Sequence, residues 1–69
     1  MSPTGVRIQE LREVKGWSQA ELSRRSGVAQ SMISRLERGD VDSVHLPSLQ
    51  KLADVLGCDP GYLIVKKGK

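Results

Sequence analysis

Five polar side chains, Gln30, Ser31, Ser34, Arg35 and Arg38, fall within one short stretch of this 69-residue sequence and carry its most specific chemistry. At about 100° per residue, a helix would set them on one continuous arc, opposite Ala29, Ile33 and Leu36. The arc contains no carboxylate. An amide pairs with adenine through two hydrogen bonds, a guanidinium pairs with guanine, and a hydroxyl serves either. The chemistry on offer is therefore recognition of base edges rather than the making of bonds. A helix face that is simply solvated is the rival reading, and the flanking elements decide between the two.

Catalysis finds little support. His45 is the only histidine and precedes a helix in a loop, while Cys58 follows Gly57 and reads as a small buried apolar residue. Neither has the oriented partner that nucleophilic chemistry needs, and no Cys/His cluster has zinc spacing. The expectation is no enzyme, no metal and no cofactor.

The elements that must position the arc lie over residues 18–39. Ser18 can cap a first helical turn, and Glu21, three residues on, can reach back to the Ser18 N–H as a capping box. Gln19 to Ser26 then forms a short helix anchored by Leu22, with the small Ser23 and Ser26 allowing another helix to approach. Gly27 can take positive φ just past a helix end. Val28 and Ala29 lead into a second helix, Gln30 to Arg38, closed by Gly39. A helix, a glycine-centred turn and a polar-faced helix together point to a helix-turn-helix.

Sixty-nine residues allow one small domain over 1–69, with a limited core. A lone cysteine forms no intramolecular disulfide and fits a reducing cytoplasm. No run approaches the roughly 18 apolar residues of a membrane span, and the first ten residues lack a signal-peptide apolar stretch. The expected protein is cytoplasmic, with no membrane partner. The net charge of +3 is unevenly spread. Residues 1–38 hold seven Lys/Arg against four Asp/Glu, whereas residues 39–63 hold only Lys51 against Asp40, Asp42, Asp54 and Asp59. Lys66, Lys67 and Lys69 add a basic tail over 66–69. The basic share thus coincides with the candidate reading helices, as a polyanion partner requires.

Taken in order, residues 1–5 read as a loose arm. Val6 to Lys15 forms a first helix with Ile8 and Leu11 on one face and Val14 nearby. Arg12 falls at the edge of that apolar stripe and needs a partner. Glu37, beside Ile33 on the third helix, is similarly placed, which predicts an Arg12–Glu37 ion pair joining the first and third helices. Trp17, just before a cap, reads as a core staple in preference to a base-stacking aromatic. Leu46, Leu49, Leu52, Ala53 and Leu56 recur at helical spacing, with Pro47 at a first helical position and Gly57 as the stop. Asp59 and Pro60 open a last short turn into Tyr62, Leu63, Ile64 and Val65. That apolar run has two readings: a subunit interface or a turn that closes the fold. The architecture is all-α, with five short helices in one compact domain.

Leu11-Arg12 with Gly16, Ser18-Gln19-Ala20-Glu21-Leu22, Gly27-Val28, Ile33-Ser34-Arg35-Leu36-Glu37-Arg38-Gly39, and Leu52-Ala53 with Leu56-Gly57 stand in an order that resembles the Cro and phage-repressor type of helix-turn-helix. This is the XRE family, with a lambda-repressor-like fold, and the resemblance covers residues 6–64. It implies a homodimeric, sequence-specific binder of double-stranded DNA at a palindromic operator, acting as a transcriptional regulator, usually a repressor. It assigns Gln30, Ser31, Ser34 and Arg35 to the major groove. It assigns Ser18, Gln19, Arg38 and the loop after Gly39 to the DNA backbone, with Gln19 sometimes reaching a base. Arg12 and Glu37 match positions that the family pairs structurally. Two departures matter. Ala29 stands where a capping Ser or Thr is usual, and Asp40 and Asp42 make the following loop acidic where many relatives offer basic or amide groups. Phosphate anchoring should then fall on backbone N–H groups, Ser18, Gln19, Arg38 and Lys15. RNA polymerase or a partner protein would be a further contact. The alternative function is an antitoxin or adaptor of the same fold, whose partner docks on the acidic half or on Tyr62–Val65 and for which DNA is secondary.

Overall fold

Leu49, Leu52, Ala53 and Leu56 recur at the spacing of one helical face, and all four are buried. They belong to a helix over Leu46–Leu56 around which the remaining core assembles. The computed structural model describes residues 3–40 and 46–63 and contains five helices: α1 (Pro3–Val14), α2 (Gln19–Ser26), α3 (Gln30–Glu37), α4 (Leu46–Leu56) and α5 (Pro60–Leu63). Ile8 from α1, Leu22 from α2, Val28 from the turn, Ile33 and Leu36 from α3, and Leu63 from α5 complete the core, with Leu11, Trp17, Met32, Val55 and Cys58 packed at its edge. Helix α1 packs on α3, α4 and α5, while α2 packs on α3 and α4. No described helix is long and apolar enough to cross a membrane.

The expected loose arm is corrected from residue 3 onward. Helix α1 begins at Pro3, and Thr4 and Gly5 are buried. The Thr4 hydroxyl donates to the Leu63 carbonyl at 2.5 Å, tying the start of α1 to α5. Gly5 lies so close to the end of α3 that a Cβ there would stand 2.5 Å from the Glu37 carbonyl oxygen and 2.8 Å from that of Leu36. Close helix approach of this kind requires the absence of a side chain. Two apolar positions also differ from expectation. Val14 is 84% exposed, because it is the last residue of α1 and lies off the face that Leu11 and Arg12 turn inward, and Leu46 is exposed at the first residue of α4.

Helix α5 closes the fold. Asp59 caps it through a 2.8 Å bond from the Gly61 N–H to Oδ1. Arg7 of α1 donates from Nη1 to the Tyr62 carbonyl at 2.6 Å and lies over the Tyr62 ring, 4.2 Å from its centroid. Leu63 is fully buried within its own chain, which removes it from the expected interface patch; Tyr62 remains partly exposed. Ile64 and Val65, the basic tail, and the loop residues Asp42 and His45 lie outside the described residues.

The Gly5 contact yields a test whose sign is informative. In an ordinary helix interior Gly→Ala stabilises by up to about 1 kcal/mol, but here Gly5→Ala should destabilise by about 1–3 kcal/mol through overpacking. For a domain of this size the melting midpoint should drop by roughly 10 °C. A variant melting at or above the parent would contradict the close approach of α1 to α3.

Candidate nucleic-acid interface

Ser18 supplies the first cap of the helix pair. Its backbone is extended and its Oγ accepts the Glu21 N–H at 3.1 Å. The reciprocal half of the capping box is not made: the Glu21 carboxylate turns outward to Arg24 Nη2 and Arg25 Nε, each at 2.5 Å. Those two guanidinium groups, Arg24 first, hold the Glu21 carboxyl below the usual carboxylate range. Gly27 takes φ 77° and its N–H reaches the Ser23 carbonyl, so the chain turns sharply after α2. In the turn, Ser26 Oγ accepts the Val28 N–H at 3.1 Å.

Val28 then takes the buried place in the turn that pattern reading gave to Ala29. Ala29 is exposed at the N-cap of α3, with no side-chain capping bond. The inward face of α3 is made by Ile33, Leu36 and the Glu37 carboxylate. On the outward side, Gln30, Ser31, Arg35 and Arg38 are exposed and Ser34 is half-buried. The four expected base-reading residues thus share one helix, three of them open to solvent, with Arg38 at its C-cap.

The end of α3 is fixed from two sides. Arg12 of α1 meets Glu37 as a fork, Nε to Oε2 at 2.8 Å and Nη2 to Oε1 at 3.1 Å, and its Nη1 donates to the Trp17 carbonyl at 2.8 Å. Both side chains are largely withdrawn from water, at 13% and 7% exposure. The hydrogen bond to Glu37 raises the Arg12 pKa above its ordinary value, with burial opposing it. Gln19, at the first turn of α2, donates its Nε2 to Glu37 Oε1 at 3.0 Å. One carboxylate therefore ties α1 and α2 to α3. The amide of Gln19, expected at the DNA backbone, is engaged inside the protein through one N–H, a role that no local pattern announced.

Other expected contacts are placed around this frame. Lys15 is exposed, with Nζ 5.3 Å from the Trp17 ring centroid, and Arg25 Cζ lies 4.5 Å from the same ring. Trp17 is half-buried against the core and caps neither alternative completely, since its ring also carries these cations. Arg35 is not unaccompanied: its Nε donates to Asp40 Oδ2 at 3.2 Å. Cys58 is half-buried, and burial, then the Asp59 charge, pushes its thiol pKa up, which opposes thiolate chemistry. Among the described residues, no group of His, Cys, Asp and Glu could hold a metal ion.

A helix-turn-helix family model matches residues 8–63. The chain is 35% identical over 63 residues to the HTH-type transcriptional regulator SinR of Bacillus subtilis, covering 91% of this chain and 57% of that protein. It is 40% identical over 57 residues to Rv0023 of Mycobacterium tuberculosis, an uncharacterized HTH-type transcriptional regulator, covering 83% of this chain and 22% of that protein. The chain thus spans between about a fifth and somewhat over half the length of these curated relatives. No solved structure matches it significantly.

The Glu37 node generates a stability prediction. Breaking a buried pair by removing one partner costs about 3–5 kcal/mol, and Glu37→Ala should fall near the lower end because both groups keep slight solvent access. Arg12→Ala/Glu37→Ala should cost clearly less than the sum of the single variants, by about 1–3 kcal/mol of coupling. Denaturant midpoints that add within error would show that the pair does not join the helices.

Proposed function

The chain belongs to the XRE-type helix-turn-helix family, and on that footing we propose that it binds double-stranded DNA sequence-specifically with α3 in the major groove. The observation that carries the reading is the division of α3 into a buried flank of Ile33, Leu36 and Glu37 and an exposed set of Gln30, Ser31 and Arg35. Gln30 suits adenine, Arg35 suits guanine, and Ser31 and Ser34 adapt to either. Ser18, Gln19, Lys15 and Arg38 serve the backbone. Gln19 keeps an N–H and its carbonyl oxygen for that purpose while its other N–H holds Glu37. The first turn of α3 lacks a side-chain cap and its residues Ala29, Gln30 and Ser31 are exposed, which suits a phosphate at the positive end of the helix dipole.

The domain acts, in this reading, as a cytoplasmic transcriptional regulator working as a homodimer on a palindromic operator. Two recognition helices would enter successive major grooves about 34 Å apart. A repressor is the favoured form, because a dimer over a promoter excludes polymerase by occupancy alone. The names of the relatives support regulation of transcription. Self-association would draw on Tyr62 together with Ile64 and Val65, with Leu63 serving the core.

Two substitutions separate base reading from backbone anchoring. Arg35→Ala should cost about 1–3 kcal/mol on a selected duplex and relax preference at one base pair, whereas Arg38→Ala should weaken all sequences alike and lower the salt slope by about one. Titrations of selected and random duplexes at two salt concentrations read both effects. If Arg35→Ala bound every duplex as the parent does, Arg35 would not be a base reader.

A further inference from the structure

The acidic residue after the recognition helix is held against the arginine on its outward face, and its placement is built into the backbone. Gly39 follows the C-cap of α3 with φ 94°, its N–H bonding the Leu36 carbonyl at 3.0 Å. The Asp40 N–H bonds the Arg35 carbonyl, also at 3.0 Å. This pair of bonds is a Schellman closure, which needs a left-handed residue at the position of Gly39 and fixes the residue after it. Asp40 is thus anchored by its main chain to the residue that its side chain meets. The Arg35 Nε donates to Asp40 Oδ2 at 3.2 Å, and Nη2 lies 3.2 Å from the same oxygen.

Both side chains are more than half exposed, so the pair adds little to stability. Its consequence lies in orientation. The guanidinium is a rigid plane with five N–H donors, and Asp40 takes the Nε/Nη2 edge. Nη1 and the remaining N–H of Nη2 form the end-on fork, which matches the O6 and N7 acceptors of guanine. The carboxylate also carries a cost at any DNA site, because it adds negative charge beside phosphates. Only a base that accepts both donors offsets that cost, which is how a repulsive element sharpens discrimination.

We propose that Asp40 is a specificity-determining positioning residue, holding Arg35 by one edge so that its free fork selects guanine at one base pair while its charge disfavours other DNA. This rests on the reading of α3 as the recognition helix. The test compares the parent, Asp40→Ala, Asp40→Asn, Arg35→Ala and Arg35→Ala/Asp40→Ala, each verified by its melting midpoint, since all keep the N–H that closes the helix. The readout is the ratio of affinities for a selected duplex and for the same duplex changed at the Arg35-dependent base pair, alongside affinity for random duplex.

Asp40→Ala should bind random duplex more tightly and lose on the order of fivefold in the ratio, part of the discrimination that a bidentate Arg–guanine contact supplies. Asp40→Asn, which keeps an acceptor without the charge, should gain random binding while retaining more of the ratio. In the Arg35→Ala background, removing Asp40 should leave the ratio unchanged. If Asp40→Ala tightened binding to all duplexes alike with the ratio intact, Asp40 would be a repulsive charge only, and the proposal would fail with groove reading still standing. If Arg35→Ala itself left every base preference intact, the reading of α3 would fail and take the proposal with it.

Discussion

The carboxylate of Glu37 is the point at which the fold becomes specific. A buried charge is costly unless paired and hydrogen-bonded, and here one anion accepts from Arg12 on α1 and Gln19 on α2 while belonging to α3. Apolar packing of Ile33 and Leu36 would tolerate small rotations of α3, because dispersion contacts have no strong directional preference. The fork of Arg12 does not. Gly5 reinforces the constraint by letting α1 approach the backbone of the same turn. The rotational setting of α3, and hence the direction in which its polar arc faces, follows from these contacts.

A second consequence is that the polar surface is already internally organised. Gln19 is oriented by Glu37, Arg25 by Glu21, and Arg35 by Asp40. Long cationic side chains lose rotamer freedom when they bind, so partial ordering in the free protein reduces what association must still fix. On the proposed function, the acidic residues near the basic face would limit indiscriminate attraction to phosphates. A mildly basic protein with such local pairs would, on that same reading, trade some general affinity for discrimination.

Much of this was legible in the sequence because the responsible signals are local. Ser18 at a cap, glycines at helix ends, and leucines at helical spacing in α4 act through nearest turns. The Arg12–Glu37 pair was readable because both residues interrupt apolar stripes, which marks a charge requiring a partner. What escaped depends on three-dimensional proximity. Thr4 and Gly5 are small and carry no hydropathy signal, yet they contact α5 and α3 at long sequence separation. Val14 has the right character for a core position but lies on the final residue of α1, where no element covers it. Glu21 had two basic neighbours at i+3 and i+4 competing with the capping box, and the ion pairs won. The Asp40–Arg35 contact is not legible, because the return of the chain to Arg35 depends on the closure geometry at Gly39.

The proposed function requires α3 to present its polar arc to base edges in a symmetric pair of grooves. Selection of bound duplexes from a random pool by the intact chain tests this most directly. The expected outcome is an enriched inverted repeat whose half-site centres lie about one helical turn apart, with information concentrated in a few adjacent base pairs of each half. Recovery of duplexes without any shared sequence, bound no more tightly than the starting pool, would contradict it.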